Sequence, residues 1–235
     1  MPRVGSSRVK RRPATYNIVC CGDSNTGGPT PPVAWSMWPS RVVLAARQSL
    51  PYDTIGGVNN GVGSTASYDL YANRATQIND ESPSVVVIVH GTNDAYYDDP
   101  ANGYPRGDGQ DYGAASWRTR MDTIVTEALA LTDASGRATR VVVCSPPPAH
   151  AQSYPGSLSW RDTARLTAIR DQAADLVNDF ANSRVQYVDL HTGMTANASW
   201  ETAYIDTADG GVHLNDAGSG EAARLIVAAV VRALA

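Results

Sequence analysis

Five short runs of apolar, largely β-branched residues punctuate the chain: Tyr16 to Cys21, Asp53 to Val58, Val85 to His90, Arg140 to Cys144 and Val185 to Asp189. Apolarity that is continuous rather than alternating marks strands covered on both faces, as in a parallel sheet flanked by helices. Between the runs the period changes. Trp117, Met121, Ile124, Ala128 and Leu131 fall on one helical stripe, and Leu166, Ile169, Ala173, Leu176 and Phe180 on another. Asn215 stands where it can cap a last helix rich in Ala, Val and Leu. Alternating β and α units joined by right-handed crossovers predict an α/β fold, a three-layer α/β/α sandwich around a parallel sheet of about five strands. No internal repeat or composition shift divides residues 15–235, which are expected to form one domain.

Polar, glycine-rich sequence follows the first three runs, where an α/β sheet exposes its chemistry. Gly22-Asp23-Ser24-Asn25 ends the first run, Gly61-Val62-Gly63-Ser64 follows the second, and Gly91-Thr92-Asn93-Asp94 follows the third. A fourth polar station, Asp209-Gly-Gly-Val-His213-Leu-Asn215, precedes the last helix. A serine hydroxyl becomes a nucleophile only where a base takes its proton and donors hold the oxyanion, and these stations carry residues of both kinds. Singly, each is an ordinary turn or cap sequence. Their order is the informative feature.

These motifs resemble those of the SGNH (GDSL-type) hydrolases, a family of esterases, lipases and carbohydrate deacetylases, over nearly the whole chain. The resemblance implies that Ser24 is the nucleophile, His213 the general base and Asp209 the carboxylate that orients it. It implies an oxyanion hole made of the Ser24 N–H, the Asn93 amide and a backbone N–H after the second strand, at Gly63 or, as its rival, Ser64. It also implies the flavodoxin-like sheet order 2-1-3-4-5 and acyl transfer to water with no metal and no organic cofactor. In one respect the chain departs from the family pattern: the acid lies four residues before His213, because position 210 is glycine. Two other classes stay open. The loop Ser24 to Thr30 also looks like the phosphate loop of an FMN-binding flavodoxin-like electron carrier, and a disabled base would leave a non-catalytic carbohydrate-binding relative.

Between the third strand and the next helix lies a long segment, Ala95 to Ala114, with Tyr96, Tyr97, Tyr104 and Tyr112 among four aspartates. Loops of this length are often functional, and Tyr96, Tyr97 and Tyr104 are the candidates for contact with substrate. Together with the prolines after the first strand, this polar loop points to small acyl esters, acetyl above all, on a carbohydrate or a simple alcohol. The carboxylates show no calcium spacing, and His90, His150 and His191 show no zinc spacing, so no metal is expected.

Charge is segregated along the chain. Arg3, Arg8, Lys10, Arg11 and Arg12 crowd the first twelve residues, leaving 14 basic against 23 acidic groups in the rest. Residues 1–14 read as a basic, disordered leader on an acidic body, and an acidic body argues against a nucleic-acid partner. The leader lacks the apolar core of a secretory signal, and no apolar run reaches membrane-spanning length. Lack of a signal favours a cytoplasmic enzyme, with secretion without a classical signal, or assembly into a larger particle such as a phage tail, left open; oligomeric state is not readable. Cys20 and Cys21 are neighbours on one strand, point to opposite faces and are expected, like Cys144, to be buried thiols.

Overall fold

The computed structural model describes residues 13–28, 37–97, 108–149, 163–206 and 211–235. Five strands, β1 (Thr15–Gly22), β2 (Thr54–Gly61), β3 (Val85–Val89), β4 (Arg140–Cys144) and β5 (Val185–Val188), form one parallel sheet in the order β2-β1-β3-β4-β5. The helices are α1 (Ser24–Gly27), α2 (Trp38–Ser49), α3 (Ser67–Gln77), α4 (Thr92–Tyr97), α5 (Ala114–Ala130), α6 (Thr163–Phe180), α7 (Leu190–Thr195), α8 (Trp200–Ala203) and α9 (Asp216–Leu234). No helix among the described residues is long and apolar enough to cross a membrane.

Strand periodicity sorts the side chains into two cores. Tyr16, Ile18 and Cys20 of β1 face one side with Val85, Val87 and Val89 of β3, and there they meet Trp38, Val42 and Ala46 of α2 and the apolar stripe of α9. Val19, Cys21, Val86 and Ile88 face the other side, against Leu70 of α3, Trp117, Met121 and Ile124 of α5, and Leu166 and Ile169 of α6. The result is three layers, α2 and α9 on one face and α3, α5 and α6 on the other. Cys20 and Cys21 therefore lie in different cores, and all three cysteines are buried free thiols. Burial pushes each thiol up, Cys21 to about 12. They are packing residues, held far from the thiolate form that gives cysteine its reactivity.

Three boundaries differ from the sequence-based expectation by more than a single residue, each for a local reason. β2 does not stop at Val58 but continues through Asn59, Asn60 and Gly61, which pair with Cys20, Cys21 and Gly22. The polar stretch is tolerated because β2 is an edge strand. The turn expected after β1 is instead the short helix α1, capped by Asp23, whose carboxylate accepts from the Asn25 N–H at 2.9 Å. The loop expected from Ala95 begins as helix: Ala95, Tyr96 and Tyr97 belong to α4, while Ala114 already opens α5. At the end of the chain Asn215 caps α9 as expected, its side chain accepting from the Gly218 N–H at 2.9 Å. Ala14, at the end of the basic segment, donates its N–H to the Asp53 carboxylate at 2.8 Å, which ties it to the start of β2.

Candidate active site

The C-terminal ends of β1, β2 and β3 converge on Ser24. Glycines permit the approach. A Cβ on Gly27 would sit 2.5 Å from the Gly61 carbonyl oxygen, and one on Gly61 would sit 2.2 Å from the Gly27 nitrogen. Side chains at either position would therefore force α1 off the end of β2. The contact is secured by polar bonds: Asn59 donates its amide to the Thr26 carbonyl at 2.9 Å, and the Val62 N–H donates to the Gly22 carbonyl at 2.9 Å. The loop after β2 is thereby fixed beside Ser24, with a Cβ position on Gly63 only 4.0 Å from Ser24 Cβ. Its neighbour Ser64 sits in the left-handed region with φ of 62°, a conformation that costs a non-glycine residue energy and recurs at functional loops.

His213 reaches the same point from the other end of the chain. Its Nε2 lies 2.8 Å from Ser24 Oγ, and both side chains are half-buried. The distance is that of a good hydrogen bond, the arrangement by which an imidazole accepts a hydroxyl proton. Of the other sequence-predicted residues, Asn93 arrives at the first turn of α4, 8% exposed, with Nδ2 donating to the Thr65 carbonyl at 2.8 Å. One of its two amide hydrogens thus holds the loop that carries Gly63 and Ser64. Tyr97 donates its hydroxyl to the Ser64 carbonyl at 3.3 Å, bracing the same loop from α4. The Tyr97 ring is also flanked by Tyr96 and Tyr112, each with its centroid 5.1 Å away and tilted. Asp209, Tyr104 and His150 lie outside the described residues.

Motif reading singled out neither the second layer of carboxylates nor the role of the residue after the serine. Asp23 is 1% exposed, and burial pushes its carboxyl up to about 6, against the pull of the Asn25 N–H and of the His213 charge. Asp94 is fully buried and accepts from the Ser67 N–H at 2.9 Å and from the Ser67 hydroxyl, with Arg120 at 3.9 Å. Burial raises Asp94 also to about 6, and the Ser67 bonds and Arg120 draw it back. Asp94 thereby pins α4, and with it Asn93, to the start of α3. Asn25 turns its side chain onto the backbone on either side of His213, accepting from the Leu214 N–H at 3.0 Å and donating to the Val212 carbonyl at 3.4 Å. These partners are main-chain atoms and leave no residue pattern in the sequence; the only hint is an amide and a carboxylate placed directly beside the serine.

The raised carboxyl of Asp94 has a consequence for stability. Between about pH 4 and pH 6 the folded chain keeps a proton there that the unfolded chain has released, so the group's contribution to stability falls as pH rises through that window. Two pKa units correspond to about 3 kcal/mol. The Asp94→Asn variant lacks this titration. Its unfolding free energy minus that of the parent is expected to become more positive by roughly 2–3 kcal/mol from pH 4 to pH 7 in denaturant titrations, about the size of that pKa difference; a difference that does not change with pH would contradict the assignment.

Residues 20–220 match the model of the GDSL-like lipase/acylhydrolase family. No curated protein matches the chain in sequence. Among solved structures, it is similar to a lipase/acylhydrolase from Enterococcus faecalis, 20% identical, TM-score 0.70, over 92% of this chain and 96% of that one. It is similar also to Axe2, an acetylxylan esterase from Geobacillus stearothermophilus, 18% identical, TM-score 0.68, over 92% of this chain and 94% of that one. Identities this low speak for a shared fold, and the sheet order and layers agree with it.

Proposed function

Since the chain belongs to the GDSL-like lipase/acylhydrolase family and is a carboxylic ester hydrolase, we propose that it removes small acyl groups, acetyl foremost, from a carbohydrate or simple alcohol by way of a Ser24 acyl-enzyme. The observation that carries this reading is the 2.8 Å contact between Ser24 Oγ and His213 Nε2. In the proposed reaction His213 accepts the hydroxyl proton as Ser24 Oγ attacks the ester carbonyl. The tetrahedral intermediate collapses, the alcohol leaves with the proton from His213, and water repeats the sequence on the acyl-enzyme.

The oxyanion is assigned to three donors. Ser24 opens α1, where a helix leaves its first N–H groups without intrahelical partners. Gly63, on the loop fastened beside Ser24, is preferred to Ser64 because of its 4.0 Å approach. Asn93 contributes the amide hydrogen that Thr65 does not take. Asp209 is proposed as the carboxylate that orients and stabilises the imidazolium, with the additional glycine of the Asp209 to His213 segment absorbed in the turn. None of these steps calls for a metal or an organic cofactor, and family membership sets the hydrolase reading above an electron carrier or a non-catalytic relative.

The acetyl and carbohydrate assignments draw on the rim. Tyr96, Tyr97 and Tyr112 are half-buried and cluster as tilted rings, with Tyr97 bonded to the Ser64 carbonyl. Aromatic rings with hydroxyl ends present a flat apolar face together with a hydrogen-bonding tip, a surface suited to sugar rings. Axe2, with a similar fold, is an acetylxylan esterase, which agrees with this choice. The test is an acyl-length series of aryl esters alongside acetylated xylo-oligosaccharides. Catalytic efficiency is expected to be highest for acetyl, to fall with each added pair of methylenes, and to be accompanied by acetate release from the oligosaccharides. A preference for long acyl chains would overturn the assignment.

A further inference from the structure

Asn25 is 2% exposed, and its carboxamide is directed at the two peptide groups that flank His213. In an extended segment, the carbonyl of one residue and the N–H of the residue two further on point to the same edge. A single carboxamide, with an acceptor and a donor side by side, can therefore take the place of a neighbouring strand. It does so here for the Val212 carbonyl and the Leu214 N–H. The opposite edge is held by the chain itself: the Asp206 N–H donates to the His213 carbonyl at 2.8 Å, beside the antiparallel bridge between Ile205 and Leu214. Just upstream, the Gly211 N–H donates to the Asp206 carbonyl at 2.9 Å. The segment is thus bonded on both edges, to α1 on one and to Asp206 on the other, and His213 is at its centre.

The other end of the clamp is equally well fixed. Asn25 follows Ser24 on α1, and its own N–H is bound by the buried Asp23 carboxylate at 2.9 Å. Nucleophile and base are thus connected twice, once through their side chains and once through the residues next to them. From this geometry we infer that Asn25 is a positioning residue that sets the imidazole of His213 against the Ser24 hydroxyl and acts on the reaction only through His213. The inference rests on the assignment of Ser24 and His213 as nucleophile and base. Of the two bonds the one to Leu214 is the stronger, since 3.4 Å to Val212 lies beyond the usual range for an N–H···O bond. Aspartate at this position keeps the acceptor for Leu214 and sets an oxygen against the Val212 carbonyl; alanine keeps neither bond.

A kinetic double-mutant cycle on the full chain tests the inference. Asn25→Ala is expected to lower kcat on the order of 10²-fold, the scale of a small misplacement of a reacting group, with KM little changed. Asn25→Asp, which retains the stronger bond, is expected to fall between parent and Asn25→Ala. In the His213→Ala background, neither substitution should lower the residual rate further, because the group through which Asn25 acts is gone. If Asn25→Ala does not fold, the same cycle is run with Asn25→Asp. Parent-like kcat in the variants, or the same factor lost with and without His213, would overturn the positioning role. Full turnover in His213→Ala alone would overturn the base assignment instead, and this inference with it.

Discussion

Ser24→Ala is expected to abolish ester hydrolysis, lowering kcat on the order of 10⁶-fold while substrate still binds, and His213→Ala is expected to cost nearly as much. The physical ground is that neither group works alone. On the proposed mechanism, alanine at position 24 removes the atom that attacks, and alanine at 213 leaves a hydroxyl with no acceptor for its proton, and an unactivated serine is a poor nucleophile. Because the two residues form one unit, their losses should not add. The Ser24→Ala/His213→Ala double variant is expected to show the same residual rate as either single one, measured with acetyl aryl esters under saturating substrate. A double variant slower than both by the product of the separate factors would mean that the residues act independently, and the 2.8 Å contact would then be structural.

Asn93→Ala is the second large effect expected, a loss of 10²- to 10³-fold in kcat, roughly the scale of one oxyanion-hole donor. Two causes act in the same direction. The amide donor proposed for the developing oxyanion is lost, and so is the bond from Nδ2 to the Thr65 carbonyl that holds the Gly63 and Ser64 loop in place. Both matter more in the transition state than in the bound ester, so kcat should fall while KM changes little. An equal rise in KM at unchanged kcat would place Asn93 in ground-state binding and take it out of the oxyanion hole.

How much of this could be read in the sequence depended on burial. β3 and β4 are legible because every residue of Val85–Val89 is shielded on both faces, which leaves an uninterrupted β-branched run. α5 and α6 are legible because their stripes, Trp117 to Ala128 and Leu166 to Leu176, face a deep core. α2 and α3 are harder to see: α3 buries one large apolar side chain, Leu70, and α2 sets two arginines, Arg41 and Arg47, around only four buried residues, Trp38, Pro39, Val42 and Ala46. The end of β2 was concealed for the opposite reason. An edge strand can end in Asn59-Asn60-Gly61 because its polar side chains find bonds with Thr26 and Gln77 rather than a core.

At the site, the residues to which chemistry is assigned by proposal were visible through their type and order, whereas residues that hold them in place were not. Ser24, Asn93 and His213 announce themselves by motif, and the fold brings Ser24 into contact with His213. Asn25 bonds to peptide groups almost at the far end of the chain, and Asp94 to the Ser67 N–H and hydroxyl across two elements. A backbone partner has no residue identity, so only the folded geometry reveals it. The same holds for the Gly27 and Gly61 crossing, where the absence of two side chains lets α1 and β2 approach.

The central claim, that Ser24 is a nucleophile activated by His213, is tested most directly by reaction with a fluorophosphonate followed by intact-mass and peptide mass spectrometry. In that reaction the serine oxygen bonds to phosphorus as fluoride leaves, and the hydroxyl proton passes to the base. One adduct per chain is expected, on the peptide containing Ser24, with labelling suppressed in His213→Ala. An adduct on another residue, or labelling of Ser24 at the parent rate without His213, would contradict the account.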